Sequence, residues 1–260
     1  MIAFHIWPIA VHWYGIFYAV SFLLWFFYLR KIILAWKWLK VENLDKFMDD
    51  LLFFAILWVL LWWRLGYVFF YNPEYFVHQP WKIFYIWEWW MAFAWAFIWV
   101  WLSLYFLSRK YKINLLNITD LIVSFLPFWL GLGRIWNYLN WELYWKYCPS
   151  FLVWTFMCSY FWTEQLHLAN QLLESFFEWW LLFIIMQILV WKFDLLKKRW
   201  VLTLVFIFYY SVVRFSLEFI RRHPSNYILY FWLSISQFFM ILFFILWIIL
   251  FFYLRKVSKK

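Results

Sequence analysis

Long apolar runs, broken at short intervals by clusters of Lys and Arg, set the pattern of this chain. An α-helix needs about 20 mostly apolar residues to cross the hydrocarbon of a bilayer. Read with that window, the runs predict seven membrane helices, near residues 13 to 29, 51 to 71, 83 to 107, 115 to 133, 176 to 193, 200 to 220 and 229 to 254. The basic residues gather in alternate connections: Arg30, Lys31, Lys37, Lys40 and Lys46, then Arg109, Lys110 and Lys112, then Lys192, Lys197, Lys198 and Arg199, and finally Arg255, Lys256, Lys259 and Lys260. The positive-inside rule then predicts an N-terminus outside and a C-terminus in the cytoplasm, which an odd number of spans satisfies. The one long connection, residues 140 to 175, falls outside and is large enough for a small extracytoplasmic cap. With no internal repeat and no low-complexity linker, the expected fold is an all-α polytopic membrane protein, residues 1 to 260 forming a single integral membrane domain that includes the cap.

Composition excludes the soluble alternatives. Of 260 residues 69% are hydrophobic and only 14% charged, and the mean hydropathy is +0.74; a water-soluble fold of this size needs far more polar surface. The net charge of +10 would suggest nucleic acid in a soluble protein. Here the basic residues report topology and attraction to anionic membrane lipid, and no nucleic-acid partner is expected. No basic segment precedes the first apolar run and no small-residue cleavage site follows it, so that run is expected to stay as a membrane helix. Cys148 and Cys158 both lie in the long outer connection, where a disulfide can form, yet two isolated cysteines with no framework are more often free.

Charged groups within the apolar runs carry the candidate chemistry. Arg64, Arg134 and Arg214 lie in or at the edge of spans, where each charged centre costs about 2.5 to 3.5 kcal/mol on insertion scales. Such residues face a polar interior or a ligand. The stretch Gly131 to Trp145 gathers Arg134, Asn137, Asn140 and Glu142 within nine residues, with Arg134 and Asn137 on one helix face. A snorkelling Arg and a capping Asn would explain one such residue each, but this cluster must satisfy many donors and acceptors together. Tyr210, Arg214, Glu218 and Arg221 stand four, four and three apart, along one face of the sixth helix; an internally neutralised Arg-Glu pair used for packing is the alternative. His12-Trp13-Tyr14-Gly15 opens the first span, where an interfacial aromatic belt would account for Trp13 and Tyr14 alone. Asp49-Asp50 lacks a third carboxylate on its face, so neither a metal site nor a cofactor is expected.

The Gly131 to Trp145 stretch resembles the signature of the prolipoprotein diacylglyceryl transferases, a pattern close to Gly-Arg-x-Gly-Asn-Phe-x-Asn-x-Glu-x-x-Gly. Arg134, Asn137, Asn140 and Glu142 fall on its polar positions in register. His12 to Gly15 is similar to the family's His-Trp-Tyr-Gly box, Arg64-Leu65-Gly66-Tyr67 to its Arg-x-Gly-Tyr run, and Tyr210, Arg214 and Glu218 to its aromatic, Arg and Glu. Gln171, Glu174 and Glu178 follow a weaker match, with Leu173 in place of a Tyr. The resemblance implies transfer of the diacylglyceryl group of phosphatidylglycerol to the lipobox cysteine in the signal peptide of a preprolipoprotein, at the bacterial cytoplasmic membrane. It also implies Tyr14, Arg134, Asn137, Glu142, Arg214 and Glu218 as catalytic residues. His12, Arg64, Asn140, Tyr210 and Arg221 would bind substrate, and Arg64 either meets a lipid headgroup or pairs with Asp120 or Glu88. Two guanidiniums, Arg134 and Arg214, suit a phosphate leaving group, with Glu142, Glu218, Asn137 and Asn140 orienting them. A membrane transporter, or a catalytically impaired relative that binds lipoproteins, is the competing reading.

Two departures stand out. The family has His, often assigned as the base for the thiol proton, where this chain has Ala94; loss of a base costs about 10²- to 10⁴-fold in rate. His12 and Tyr14 are the nearest substitutes in kind. The second departure is compositional: the chain has 27 Trp and 4 Gly, whereas Gly averages about 7% of positions and is enriched in membrane helices. Trp62, Trp63, Trp89, Trp90, Trp95, Trp129, Trp136, Trp145, Trp179 and Trp200 are among those that fall where the resembled family has Gly. The selectivity of this exchange predicts a coding sequence in which UGA specifies glycine and has been rendered as tryptophan. Close helix approach in lipid needs small side chains, which points the same way.

Overall fold

A computed structural model describes residues 2–6, 9–36, 41–70, 73–84, 93–140, 147–148, 150, 153, 155, 157–159, 166–198, 200–219, 229–230 and 233–257. The chain is mostly helical. By contact it divides into two compact units, one of Met1–Trp25 with Asp120–Lys260 and one of Phe26–Thr119. Among the described residues three helices are long and apolar enough to cross a membrane, Asn170–Trp191, Val201–Glu218 and Ile235–Lys256, and a bent pair over Leu115–Val123 and Leu126–Leu139 makes a fourth if it counts as one span. The all-α expectation needs one correction: three two-stranded antiparallel ribbons accompany the helices, β1 (Ile2–Ile6) with β2 (Ile9–His12), β3 (Cys158–Ser159) with β4 (His167–Leu168), and β5 (Leu229–Tyr230) with β6 (Leu233–Ser234).

The smaller unit is built on α2 (Leu44–Phe70) and α4 (Phe93–Tyr111), with the short α3 (Pro73–His78) between them in sequence and the second half of α1 (Trp13–Trp36). Asn43 starts α2 by accepting the Lys46 amide on its side chain at 2.9 Å, which satisfies one of the otherwise orphan donors of a helix N-terminus. Asp45 in that first turn and Arg109 and Lys110 in the last turn of α4 match the helix dipoles. Of the span the apolar pattern predicts from residue 83, the described residues show a 3₁₀ turn over Pro80–Phe84 and helix over Phe93–Tyr111.

The larger unit holds the polar groups. The expected span at residues 115 to 133 is broken into α5 (Leu115–Val123) and α6 (Leu126–Leu139), bent by 41°. Pro127, in the first turn of α6, has no amide hydrogen and its ring clashes with the carbonyl four residues earlier, so the helix cannot run through. Next come α7 (Asn170–Leu173), a seven-residue π-helical stretch (Glu174–Trp180) and α8 (Leu181–Trp191), which together make one continuous span. The last two spans are α9 (Val201–Glu218) and α10 (Ile235–Val257). The N-terminus of α9 is capped from α5: buried Asp120 accepts the Thr203 amide at 2.8 Å and the Thr203 hydroxyl as well. The start of α10 is set by a reciprocal box, the Gln237 amide donating to Ser234 Oγ at 3.0 Å and the Ser234 amide to Gln237 Oε1 at 2.9 Å. That box explains why the span expected from residue 229 begins at Ile235. Beyond it α10 exposes Phe238, Phe239, Leu242, Ile245, Leu246, Ile249 and Phe252, an apolar surface that only hydrocarbon would leave unpenalised.

Cys148 and Cys158 are joined in a disulfide, their Cα atoms 5.8 Å apart, against the expectation that isolated cysteines stay free. The β3–β4 ribbon brings Cys158 opposite Leu168, and the Cys148 amide donates to the Leu166 carbonyl at 2.8 Å, so both cysteines are tied to the same short segment.

Candidate active site

In the larger unit α6, the π-helical stretch and α9 meet around a buried charge network. Arg214, on α9, is nearly enclosed. Its Nη1 stands 2.9 Å from Glu174 Oε1 and 2.9 Å from Glu178 Oε1, and its Nη2 lies 3.1 Å from Glu218 Oε2 one turn further along α9. Arg134, on α6, brings its Nε to within 3.2 Å of the other oxygen of Glu174. The two arginines differ in access: the Arg134 side chain is 23% exposed and that of Arg214 only 7%, while all three carboxylates are buried. Charges in such a place are unaffordable singly, and only mutual pairing keeps them.

Local structure fixes these positions. Gly131 lets α6 approach the π-helical stretch so closely that a Cβ there would lie 3.2 Å from the Trp179 Cβ. The Ser175 hydroxyl donates to the Gly131 carbonyl at 2.9 Å, one turn before Arg134, and the Trp180 indole donates to Ser175 Oγ at 2.9 Å. On the opposite side the Tyr209 hydroxyl donates to the Phe177 carbonyl at 2.6 Å. π turns are rare and concentrate at functional sites; this one presents Glu174 and Glu178 to a single nitrogen of Arg214. Tyr210 lies one turn before Arg214 on the same helix. Ser234, which starts α10, also donates to Glu218 Oε1 at 3.1 Å and so joins the last span to the network.

Of the residues expected from the sequence, Arg134, Arg214 and Glu218 are brought together as members of this network, with Tyr210 beside it. Asn137 lies one turn after Arg134 on α6 and is half-buried, and Asn140 is the C-cap of α6, its amide donating to the Trp136 carbonyl. Glu142 and Arg221 lie outside the described residues. His12 ends β2, Tyr14 lies in the first turn of α1, Arg64 on α2 and Ala94 on α4, and their side chains are outside those described. The main residues that the sequence reading left out of the site are Glu174 and Glu178, which hold Arg214 where Glu142 and the asparagines were expected to serve. Their signal was present: two carboxylates four apart at the head of an apolar run can be tolerated only if both face cations.

Fold and site together define a polytopic helical membrane protein with guanidinium groups held by buried carboxylates. Residues 1–253 match the family model of the prolipoprotein diacylglyceryl transferases, and the chain belongs to that family. It is 37% identical over 221 residues to a phosphatidylglycerol–prolipoprotein diacylglyceryl transferase of Rickettsia typhi, covering 85% of this chain and 83% of that protein. It is 35% identical over 221 residues to the protein so named in Rickettsia felis, with the same coverage. With that of Francisella tularensis subsp. mediasiatica it shares 32% identity over 240 residues, 91% of this chain and 86% of the relative.

Proposed function

We propose that the protein transfers the diacylglyceryl group of phosphatidylglycerol to the lipobox cysteine of preprolipoproteins. The cysteine sulfur forms a thioether with the glyceryl carbon, the bond from that carbon to the phosphate oxygen breaks, and glycerol phosphate leaves. The thiol proton ends on the phosphate released with the glycerol, so that atoms and charge balance. The observation that carries the reading is the bridging of Arg134 and Arg214 by one carboxylate, Glu174, because it holds a partly exposed guanidinium, that of Arg134, in a fixed place beside a buried one. A phosphate leaving group develops negative charge, and pre-oriented guanidinium donors stabilise it without reorganisation. A guanidinium beside the thiol, that of Arg134 in this reading, lowers its pKa from the usual value of about 8.5, which favours the thiolate nucleophile in a chain with Ala94 where a base is expected. Tyr14, Asn137, Glu142 and Glu218 complete the catalytic set in this reading, with His12, Arg64, Asn140, Tyr210 and Arg221 around the substrates.

In the same reading seven spans cross the bacterial cytoplasmic membrane, the N-terminus lies outside and the C-terminus in the cytoplasm. The disulfide within residues 140 to 175 supports an oxidising, extracytoplasmic location for the cap. The test is incubation of the purified protein with phosphatidylglycerol vesicles and a lipobox peptide. Expected is a peptide gaining the diacylglyceryl mass, with the rate reduced by about 10²- to 10³-fold in Arg134→Ala. Peptide binding without any transfer would instead support an impaired, lipoprotein-binding relative.

A further inference from the structure

We propose that Glu174 is the positioning residue of this site and that Arg214 acts through it, Arg134 alone being the guanidinium that meets the lipid phosphate. This rests on the reading above. A guanidinium has five N–H donors in a fixed plane. Both hydrogens of Arg214 Nη1 are directed to carboxylates, Glu174 and Glu178 at 2.9 Å each, and Nη2 is beside Glu218. A phosphate could take these donors only by leaving buried carboxylates without a cation, which is the costly half of breaking a buried pair. Arg134 is arranged differently. It gives Glu174 only its Nε edge, at 3.2 Å, and is the more exposed of the two. The Nη1 and Nη2 nitrogens then form the edge that can fork onto two phosphate oxygens, the geometry for which arginine is suited.

Glu174 is the hinge between these roles because each of its oxygens serves a different arginine. Arg214 fixes the carboxylate, and the carboxylate fixes the rotation of the Arg134 plane. The backbone frame is held as well: the Ser175 hydroxyl on the Gly131 carbonyl ties the residue next to Glu174 to the turn before Arg134. Outer-shell groups that orient metal ligands contribute about 10- to 100-fold, and the lower end of that scale is expected here.

The test is a double-mutant cycle on the transfer reaction with phosphatidylglycerol vesicles and a lipobox peptide. Glu174→Gln is expected to raise KM for phosphatidylglycerol by about 10-fold or more, while Glu174→Gln in an Arg134→Ala background changes it by less than about 3-fold, since a positioning group has nothing left to position. Losses that multiply in the double variant would overturn the proposal. Ser175→Ala, which leaves every charge in place, is the second variant; it should raise KM in the same direction by a smaller factor, and an unchanged KM counts against the proposal. If Arg134→Ala itself leaves KM for phosphatidylglycerol unaltered, the phosphate reading of the site fails first.

The backbone at position 200 independently carries a second inference. We infer that Trp200, and with it Trp179, is glycine in the protein as the cell makes it, encoded by UGA. Trp200 has φ 72° and ψ −7° at the N-cap of α9, a left-handed conformation that is an outlier for a bulky residue and ordinary for glycine. It supplies no side-chain cap, the Thr203 amide being taken instead by Asp120. Among the described residues the indole nitrogens of Trp200 and Trp179 are buried without a hydrogen-bond partner, whereas buried polar atoms are nearly always paired. The Trp179 Cβ also lies only 3.2 Å from where a Cβ on Gly131 would stand, the kind of close approach at which membrane helices use small residues. Codons 179 and 200 in the coding DNA are expected to be UGA, and peptide mass spectrometry of the protein from its native cell to show glycine at both. UGG codons, or tryptophan in those peptides, would overturn the inference.

Discussion

Two sets of ion pairs in this molecule use the same chemistry in opposite surroundings. In the smaller unit Arg30 meets Asp45 at 2.8 Å with side chains 44% and 71% exposed, and Lys110 and Tyr111 clasp Asp50 where α4 ends. In the larger unit Arg214 is enclosed by three buried carboxylates. An exposed pair contributes about 0 to 1 kcal/mol and is screened by salt. A buried network is held at the expense of desolvation, so stability alone gives no reason to keep it. The contrast teaches that the Arg214 network needs a reason beyond stability to be kept, whereas the exposed pairs of the smaller unit need none.

The widest effect expected is from Arg214→Ala. It strands Glu174, Glu178 and Glu218 and should cost about 3 to 5 kcal/mol of stability, the range for breaking a buried pair from one side, along with all measurable transfer. Thermal unfolding in detergent and the peptide transfer assay measure the two together; a variant as stable as the parent would erase the distinction between the units. Arg134→Ala comes next. Its transfer rate should fall by about 10²- to 10³-fold, the usual loss for a transition-state donor, with a much smaller drop in melting temperature than Arg214→Ala, because it ends only one pair. Arg30→Ala should change stability by less than about 1 kcal/mol, an effect that shrinks further in high salt, and should leave transfer rates at parental levels.

The smallest effect is a pH dependence in the smaller unit. Burial alone would raise the Asp50 carboxyl, but hydrogen bonds and charge from Lys110 and the Tyr111 hydrogen bond hold it below the usual carboxylate range. With a folded pKa below the unfolded value of about 3.9, its stabilising contribution is complete above that value and fades as pH falls through the lower folded one. Asp50→Asn should therefore flatten whatever part of the melting-temperature profile below about pH 4 comes from the α2–α4 clasp; an unchanged profile would remove Asp50 from the account. Burial and the Asp50 hydrogen bond and charge push the Tyr111 phenol upward, so it stays a donor throughout that range.

The apolar runs and the alternation of basic loops were enough to say that this chain is a helical membrane protein, because hydrocarbon admits so few ways to satisfy a backbone. The spacing of Tyr210, Arg214 and Glu218 likewise declared a polar helix face, since helical period depends on sequence separation alone. What the sequence could not give was the partner across space. Glu174 lies 40 positions from both Arg134 and Arg214, and only the packing of α6, the π-helical stretch and α9 turns three separate polar stretches into one network. The same holds for Asp120 at the head of α9, which accepts from Thr203, 83 positions away. The bend at Pro127 and the late start of α10 lay between these cases: Pro127 and the Ser234-Gln237 pair were legible as local signals, but the breadth of the hydrophobic runs concealed them. Sequence fixes what each segment must be because solvent acts locally; which charges neutralise one another is decided by three-dimensional proximity, which the folded chain alone provides.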